Sequence, residues 1–218
     1  YAAQAVQNGA AALVVERFLP LDVPQLLVTD TRLAFGPMCA ELYGHPARQM
    51  KMVGITGTKG KTTAAFGLAL RAAGRGRRVV IAQFLKSEDS GERRSMESVP
   101  RVLLLPLPEH LNFVWNMDVV ERAEYEEYAG RLLDDTALLA VKNSVLILDE
   151  VLGAIETDIL PASEIDDFLA QLPENCEVVL TGRKAPKELL DRADYITEFR
   201  MERHPFEKGV QAREGIEY

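Results

Sequence analysis

Cysteine is scarce in this chain: Cys39 and Cys176 are the two in 218 residues, far apart and in no C-x-x-C spacing. That argues against a disulfide framework or a zinc site, and makes a reducing compartment the natural setting. Histidine is as sparse, and His45, His110 and His204 stand at no metal-ligand spacing, which leaves them structural or solvent-facing. No run of about 18 apolar residues occurs, as a membrane helix requires, and no basic-then-apolar leader opens the chain. The expectation is a cytoplasmic protein with no membrane partner. The opening residue is Tyr1 rather than Met, midway through what reads as a helix, as in a fragment or a processed chain. Positive charge is in deficit: the formal net charge is −8. A general basic surface for nucleic acid is therefore not expected, and only a local phosphate pocket need be sought.

What is present is an ordinary globular composition, 47% hydrophobic and 27% charged, enough for one large α/β domain or one domain with a small appendage. Strand-like and helix-like segments alternate, the pattern of a mostly parallel sheet covered by helices. Residues 2–8 read as a helix stopped by Asn8-Gly9, 11–15 and 25–28 as short strands, and 31–43 as a helix ended by Gly44 and Pro46. Residues 45–49 form a polar link. An apolar strand at 51–56 precedes a glycine-rich turn and a helix over 61–73. Further strands are expected at 78–84, 102–107, 144–148, 177–180 and 195–201. Helices are expected at 119–140, from a Ser163 cap to 172, and over 186–192. The charged stretch 86–94 reads as a mobile surface loop, and Glu121 to Glu127 as a solvated helix face.

The strongest chemical signal is Gly54-Ile55-Thr56-Gly57-Thr58-Lys59-Gly60-Lys61-Thr62-Thr63, lying between a strand and a helix. Glycines let successive backbone N–H groups face an anion, and the helix N-terminus adds partial positive charge. Gly57, Thr58, Lys59, Gly60, Lys61, Thr62 and Thr63 are the candidate nucleotide-binding residues, with Lys61 on the phosphates and the Thr62 hydroxyl on Mg²⁺ (or Mn²⁺). The match is to a variant loop, because Ile55 stands where the usual pattern has its first Gly. The blander reading is a glycine-rich turn with an exposed lysine. A metal partner is supplied by Val145-Leu146-Ile147-Leu148-Asp149-Glu150, an apolar strand whose terminal Asp149 can hold the cation. The alternative for Asp149 is a solvated acid at a helix start. Glu150 either polarises a nucleophile, contacts the nucleotide or faces water.

Several separated motifs carry a resemblance over residues 61–218. They are Gly60-Lys61-Thr62-Thr63-Ala64-Ala65-Phe66-Gly67, Gln83-Phe84-Leu85-Lys86, Gly91-Glu92, Phe113-Val114-Trp115, Leu148-Asp149-Glu150, Thr181-Gly182-Arg183 and the tail His204-Pro205-Phe206 to Tyr218. In these the chain resembles the P-loop corrinoid adenosyltransferases. The resemblance implies a P-loop NTPase (RecA-like) sheet and transfer of the 5′-deoxyadenosyl group of ATP to the Co(I) centre of a corrinoid, with release of triphosphate. It also implies ATP lying reversed so that C5′ is presented, Arg71 contacting the nucleotide, a reduced flavoprotein as electron donor, and a homodimer. Catalytic roles then fall to Lys61, Glu150, Phe113 and Trp115. The two aromatics would wedge against the lower corrin face and displace an axial ligand. Without the resemblance, both read as core aromatics at strand spacing.

The first part of the chain resembles a different family. Val14-Val15-Glu16-Arg17, Val28-Thr29-Asp30-Thr31-Arg32, Tyr43-Gly44-His45-Pro46 and Gly54-Ile55-Thr56-Gly57-Thr58 are similar to the Mur ligases, to the member that extends UDP-muramoyl dipeptide. The expected organisation is a Mur-like fragment over 1–47 and an adenosyltransferase domain over 48–218, joined within the loop. The join changes the loop: Gly57 stands where the adenosyltransferases carry a nucleotide-contacting Asn, and Ser87 where they carry Gly. Val151-Leu152 likewise replaces a polar residue and Tyr. These departures would lower activity. Two other functions compete: an amide ligase of the Mur type, for which nothing after Thr63 provides the remaining domains, and a module that binds ATP or corrinoid without turnover.

Overall fold

The computed structural model describes residues 2–29, 31, 52–57, 59–87 and 90–216. The helix expected at 31–43, the link at 45–49, His45 and Thr58 lie outside them, apart from Thr31. The chain divides into two compact units, residues 1–49 and 50–218.

In the first unit, helix α1 (Ala2–Gln7) stops where expected, with Asn8 N–H on the Gln4 carbonyl and Gly9 at φ 95°. Strands β1 (Leu13–Val15) and β2 (Gln25–Leu27) pair in parallel, Leu13 opposite Gln25. A parallel pair needs a crossover, and here the Gln25 amide holds it, accepting from Leu19 N–H and donating to the Leu19 and Leu21 carbonyls. The Glu16 carboxylate accepts from the backbone N–H and hydroxyl of Thr31 at 2.9 and 2.7 Å.

The second unit is built on strands β3 (Met52–Gly57), β4 (Val79–Gln83), β5 (Val102–Leu104), β6 (Val145–Asp149), β7 (Glu177–Gly182) and β8 (Tyr195–Phe199). All pair in parallel in the order β5-β4-β6-β7-β3-β8. This is the α/β, mostly parallel sheet expected. The helices are α2 (Lys61–Gly74), α3 (Gly91–Glu97), α4 (Val119–Leu139), α5 (Val151–Glu156), α6 (Ala162–Gln171) and α7 (Lys187–Arg192).

The central strands are apolar along most of their length because both faces are covered, and the period of two in a strand divides each run between two cores. Val80, Ala82, Leu146, Leu148, Val178 and Leu180 pack with Tyr125, Ala129, Leu132 and Leu133 of α4, Ile165 and Phe168 of α6, and Leu189 of α7. The alternate residues Ile55, Val79, Ile81, Val145, Ile147 and Val179 pack with Ala65, Phe66, Ala69 and Ala72 of α2 and Met96 of α3. Ile55, at the position of the usual loop's first glycine, is thus a core residue inside β3.

Three expectations are corrected. Residues 91–97 of the stretch read as a mobile loop form α3, because Arg93 and Met96 turn inward and are buried. Helix α6 starts after Pro161, with no side-chain cap, so Ser163 lies within its first turn. Phe113 and Trp115 are not strand residues: Val114–Asn116 is a single 3-10 turn, and both rings are exposed. Among the described residues no helix is long and apolar enough to cross a membrane.

Candidate active site

Because every strand runs the same way, the connections after β3, β4, β5, β6 and β7 all leave from one end of the sheet, and there Lys61 and Thr62 meet Glu150 and Asp149. The phosphate turn begins at Gly57, the last residue of β3. It sits at φ 112° opposite Phe199 of β8, and a Cβ there would lie 2.1 Å from the Phe199 carbonyl oxygen. No other residue fits without moving β8. Gly60, at φ 96°, turns the chain into α2. Restoring the family's Asn through Gly57→Asn is therefore expected to lower the melting temperature by about 4–8 °C, the equivalent of about 2 kcal/mol. It should not improve ATP affinity. An unchanged melting curve with tighter ATP binding would contradict this account.

Lys61 opens α2 with only 6% of its surface exposed, and its Nζ lies 3.1 Å from Glu150 Oε1. An exposed lysine on a glycine-rich turn is thereby ruled out. Glu150, at φ 59°, caps α5 in the left-handed region, a conformation that costs a non-glycine residue energy and clusters at functional sites. Its backbone N–H donates to Thr181 Oγ1 at 2.8 Å.

Asp149 is fully buried, which excludes the solvated reading. Its carboxylate accepts from the Thr62 hydroxyl at 3.0 and 3.1 Å, from the Thr181 hydroxyl at 2.7 Å and from the Gln83 amide at 3.0 Å. Lys86 Nζ lies 3.3 Å from its Oδ2. A buried carboxylate persists only when it is hydrogen-bonded and charge-compensated, and this one is both. Behind it stands buried Arg93, whose guanidinium donates to Gln83 Oε1 at 2.8 Å and to the Leu105 carbonyl at 2.9 Å. That bond points the amide nitrogen of Gln83 at Asp149.

Gln83, Thr181, Lys86 and Arg93 were not singled out for roles from the sequence. The available signals are the motifs that contain Gln83, Lys86 and Thr181, and a polar residue at or next to the end of a buried strand, Gln83 on β4 and Thr181 on β7. Strand β7 lies between β3 and β6, and from it Thr181 donates to Asp149 and accepts the Glu150 N–H, fixing the end of β6. Gly182 beside it admits α5: a Cβ there would come within 2.4 Å of Leu152 Cβ.

The Thr62 and Asp149 oxygens suit a hard divalent cation, which takes oxygen ligands. Among the described residues no three His, Cys, Asp or Glu side chains converge. A cation here would draw its remaining ligands from water and the nucleotide's own oxygens.

The other candidates are placed differently. Thr63 and Lys59 are exposed. Arg71 is exposed ten residues along α2 from Lys61, about 15 Å of helical rise, and is not brought to the turn. Phe113 and Trp115 lie on the connection from β5 to α4, with ring centroids 5.0 Å apart and planes 9° from parallel. They remain 68% and 77% exposed. Helix α4 holds this connection. Asp118 and Glu121 form a reciprocal cap, Glu121 also accepts from Asn112 at 2.6 Å, and Tyr128 donates to the Pro106 carbonyl. Glu121 is thus a structural tie rather than part of a solvated face. A cleft of about 290 Å³ lies between this connection and α4, lined among others by His110, Met117, Glu124 and Tyr125. Burial pushes the Tyr125 phenol well above its usual range, and its oxygen accepts the Leu85 N–H at 2.6 Å.

Residues 48–218 match the family described as ATP:corrinoid adenosyltransferase BtuR/CobO/CobP. The corrinoid adenosyltransferase of Escherichia coli K12 is 35% identical over 166 residues, 73% of this chain and 81% of that protein. The corrinoid adenosyltransferase CobA of Salmonella typhimurium is 34% identical over the same shares. A separate likeness, 49% identity over 63 residues, is to the UDP-N-acetylmuramoyl-L-alanyl-D-glutamate--2,6-diaminopimelate ligase of Halalkalibacterium halodurans, and spans 29% of this chain but 13% of that ligase. A family match across most of the chain, relatives covered over four fifths of their length, and a phosphate turn facing a buried acid agree: this chain belongs to the ATP:corrinoid adenosyltransferase family.

Proposed function

We propose that this protein transfers the 5′-deoxyadenosyl group of ATP to the Co(I) centre of a corrinoid, with residues 48–218 as the catalytic domain and residues 1–47 as a Mur-ligase-like appendage. The cobalt electron pair forms the new Co–C5′ bond while the C5′–O bond breaks and triphosphate leaves with its electrons. Since Co(I) is itself a strong nucleophile, the protein's task is to align C5′ and stabilise the leaving group. Lys61 and the amides of the turn from Gly57 to Thr62, Thr58 included, hold the triphosphate. Thr62 and Asp149 hold Mg²⁺ or Mn²⁺, which when bound offsets the negative charge of the triphosphate. Glu150 keeps Lys61 in place until the nucleotide takes it over. Thr63 is assigned to the nucleotide as the end of the loop motif, and Arg71 on resemblance alone.

The observation that supports the reading beyond nucleotide binding is the exposed, stacked Phe113 and Trp115 pair on the connection from β5 to α4. Two large rings left in water on a tethered connection suit a broad, flat apolar partner, and the corrin ring is one. Here they would exclude the lower axial ligand and so ease reduction of Co(II). The reading includes a reduced flavoprotein as electron donor, a homodimer and a cytoplasmic setting.

The test is incubation with Mg-ATP and chemically reduced cobalamin, followed by the corrin absorption spectrum and phosphate analysis. Conversion to the adenosylated spectrum with one triphosphate per corrinoid is expected. Release of ADP and phosphate, or tight binding of both substrates with an unchanged corrin, would overturn the proposal.

A further inference from the structure

One contact at the site is not needed to hold a nucleotide. Lys86 Nζ lies 3.3 Å from Asp149 Oδ2 and 3.4 Å from Thr62 Oγ1, the two side chains assigned to the divalent cation. An ammonium at this distance from both competes with any cation those two oxygens would hold. Its placement is built into the fold. The preceding residue, Leu85, has φ 54°, a left-handed conformation unfavourable for a branched side chain. Leu85 is held there by its N–H bond to the buried Tyr125 hydroxyl. The lysine side chain itself is 27% exposed, so it has a route out toward solvent.

The charge balance explains why such a group is present. Asp149 is fully buried, and its other partners, Thr62, Thr181 and Gln83, are neutral donors. A carboxylate in that setting requires a cation. We infer that Lys86 is a resident counter-ion that holds the metal position in the nucleotide-free protein and must leave it before a divalent cation can bind. The ammonium and the metal ion exclude one another, because they compete for the same oxygens and repel at such short range. Free metal therefore binds weakly. The metal enters together with the triphosphate, whose oxygens offer Lys86 an alternative anion. Lys86 is a positioning residue in this scheme, and the inference rests on the assignment of Thr62 and Asp149 to the cation.

The experiment uses Mn²⁺ alone, with no nucleotide or corrinoid, and reads free Mn²⁺ by electron paramagnetic resonance. Lys86→Met should bind Mn²⁺ at least about tenfold more tightly than the wild type. Lys86→Arg should stay near the wild type, and Asp149→Asn should lose the site. In EDTA, Lys86→Met should melt below the wild type and gain more than it from added Mn²⁺, a metal-dependent rescue that a merely structural lysine would not produce. Lys86→Gln carries the same expectations should the Met variant fail to fold. Equal or weaker Mn²⁺ binding in both neutral variants, with the Asp149-dependent site intact, would overturn the role of Lys86 alone. Absence of any Asp149-dependent Mn²⁺ binding in all variants would sink the metal assignment and this inference together.

Discussion

Lys61→Ala is expected to weaken ATP binding by at least about a hundredfold, close to complete loss in an ordinary assay, a difference of about 2.7 kcal/mol. Two effects act together. The substitution removes the one full positive charge that the phosphate turn aims inward, and it leaves Glu150, 3.1 Å away in the intact protein, with its lysine partner gone, beside the arriving triphosphate. With the Glu150 side chain 23% exposed, the charge left behind is partly solvated, and its main effect is repulsion of the triphosphate. The two contributions can be separated. The double variant Lys61→Ala/Glu150→Ala should recover part of the lost affinity because the repulsive carboxylate is gone. Titration calorimetry measures both, and melting curves confirm that each variant is folded. ATP affinity within about threefold of the wild type in Lys61→Ala would place the phosphates elsewhere and remove the basis of the proposed mechanism.

Trp115→Ala should leave ATP binding and the fold almost untouched while slowing one step selectively. At 77% exposure the ring contributes little to the core, and substitutions at such positions usually change stability by no more than about 0.5 kcal/mol. Its partner Phe113, stacked 5.0 Å away, would keep half of the apolar platform. If the pair excludes the lower axial ligand, its loss slows adenosylation that begins from Co(II) by at least about tenfold relative to the same reaction begun from pre-reduced Co(I), or about 1.4 kcal/mol of barrier. The comparison is internal to one variant, so a general loss of activity cancels. Equal slowing from both starting states would argue that the ring only positions the corrinoid, and no slowing from either would remove it from the site.

Much of the architecture is written locally. The run Val145 to Leu148 reads as a strand buried on both faces because it has no polar position, and in the structure its residues alternate between the two cores. Helix α4 is legible from its length and spacing, and the turn from Gly57 to Thr62 from glycines at the positions where φ turns positive. What failed to be legible follows a pattern. The stretch 86–94 reads as solvent-facing because it is charged, yet Arg93 is buried, its charge met by a carbonyl and an amide supplied by other elements. Phe113 and Trp115 have strand-like spacing, but the 3-10 turn between them stacks the rings on one another at the surface. For Arg93 the deciding partners lie on other elements, and for the two aromatics the deciding feature is a turn that strand-like spacing does not announce.

The amino-acid order alone determined the alternation of strands and helices, the anion-binding turn, the terminal acid of β6 and the family, since each is encoded in neighbours along the chain. Only the tertiary structure decided that Asp149 meets Thr62, Gln83 and Thr181, which are 87, 66 and 32 residues away, and that Lys86 Nζ reaches both the Asp149 carboxylate and the Thr62 hydroxyl. Those contacts depend on which strands lie side by side, in particular on β7 separating β3 from β6. Strand order is settled by packing two cores at once rather than by any local pattern.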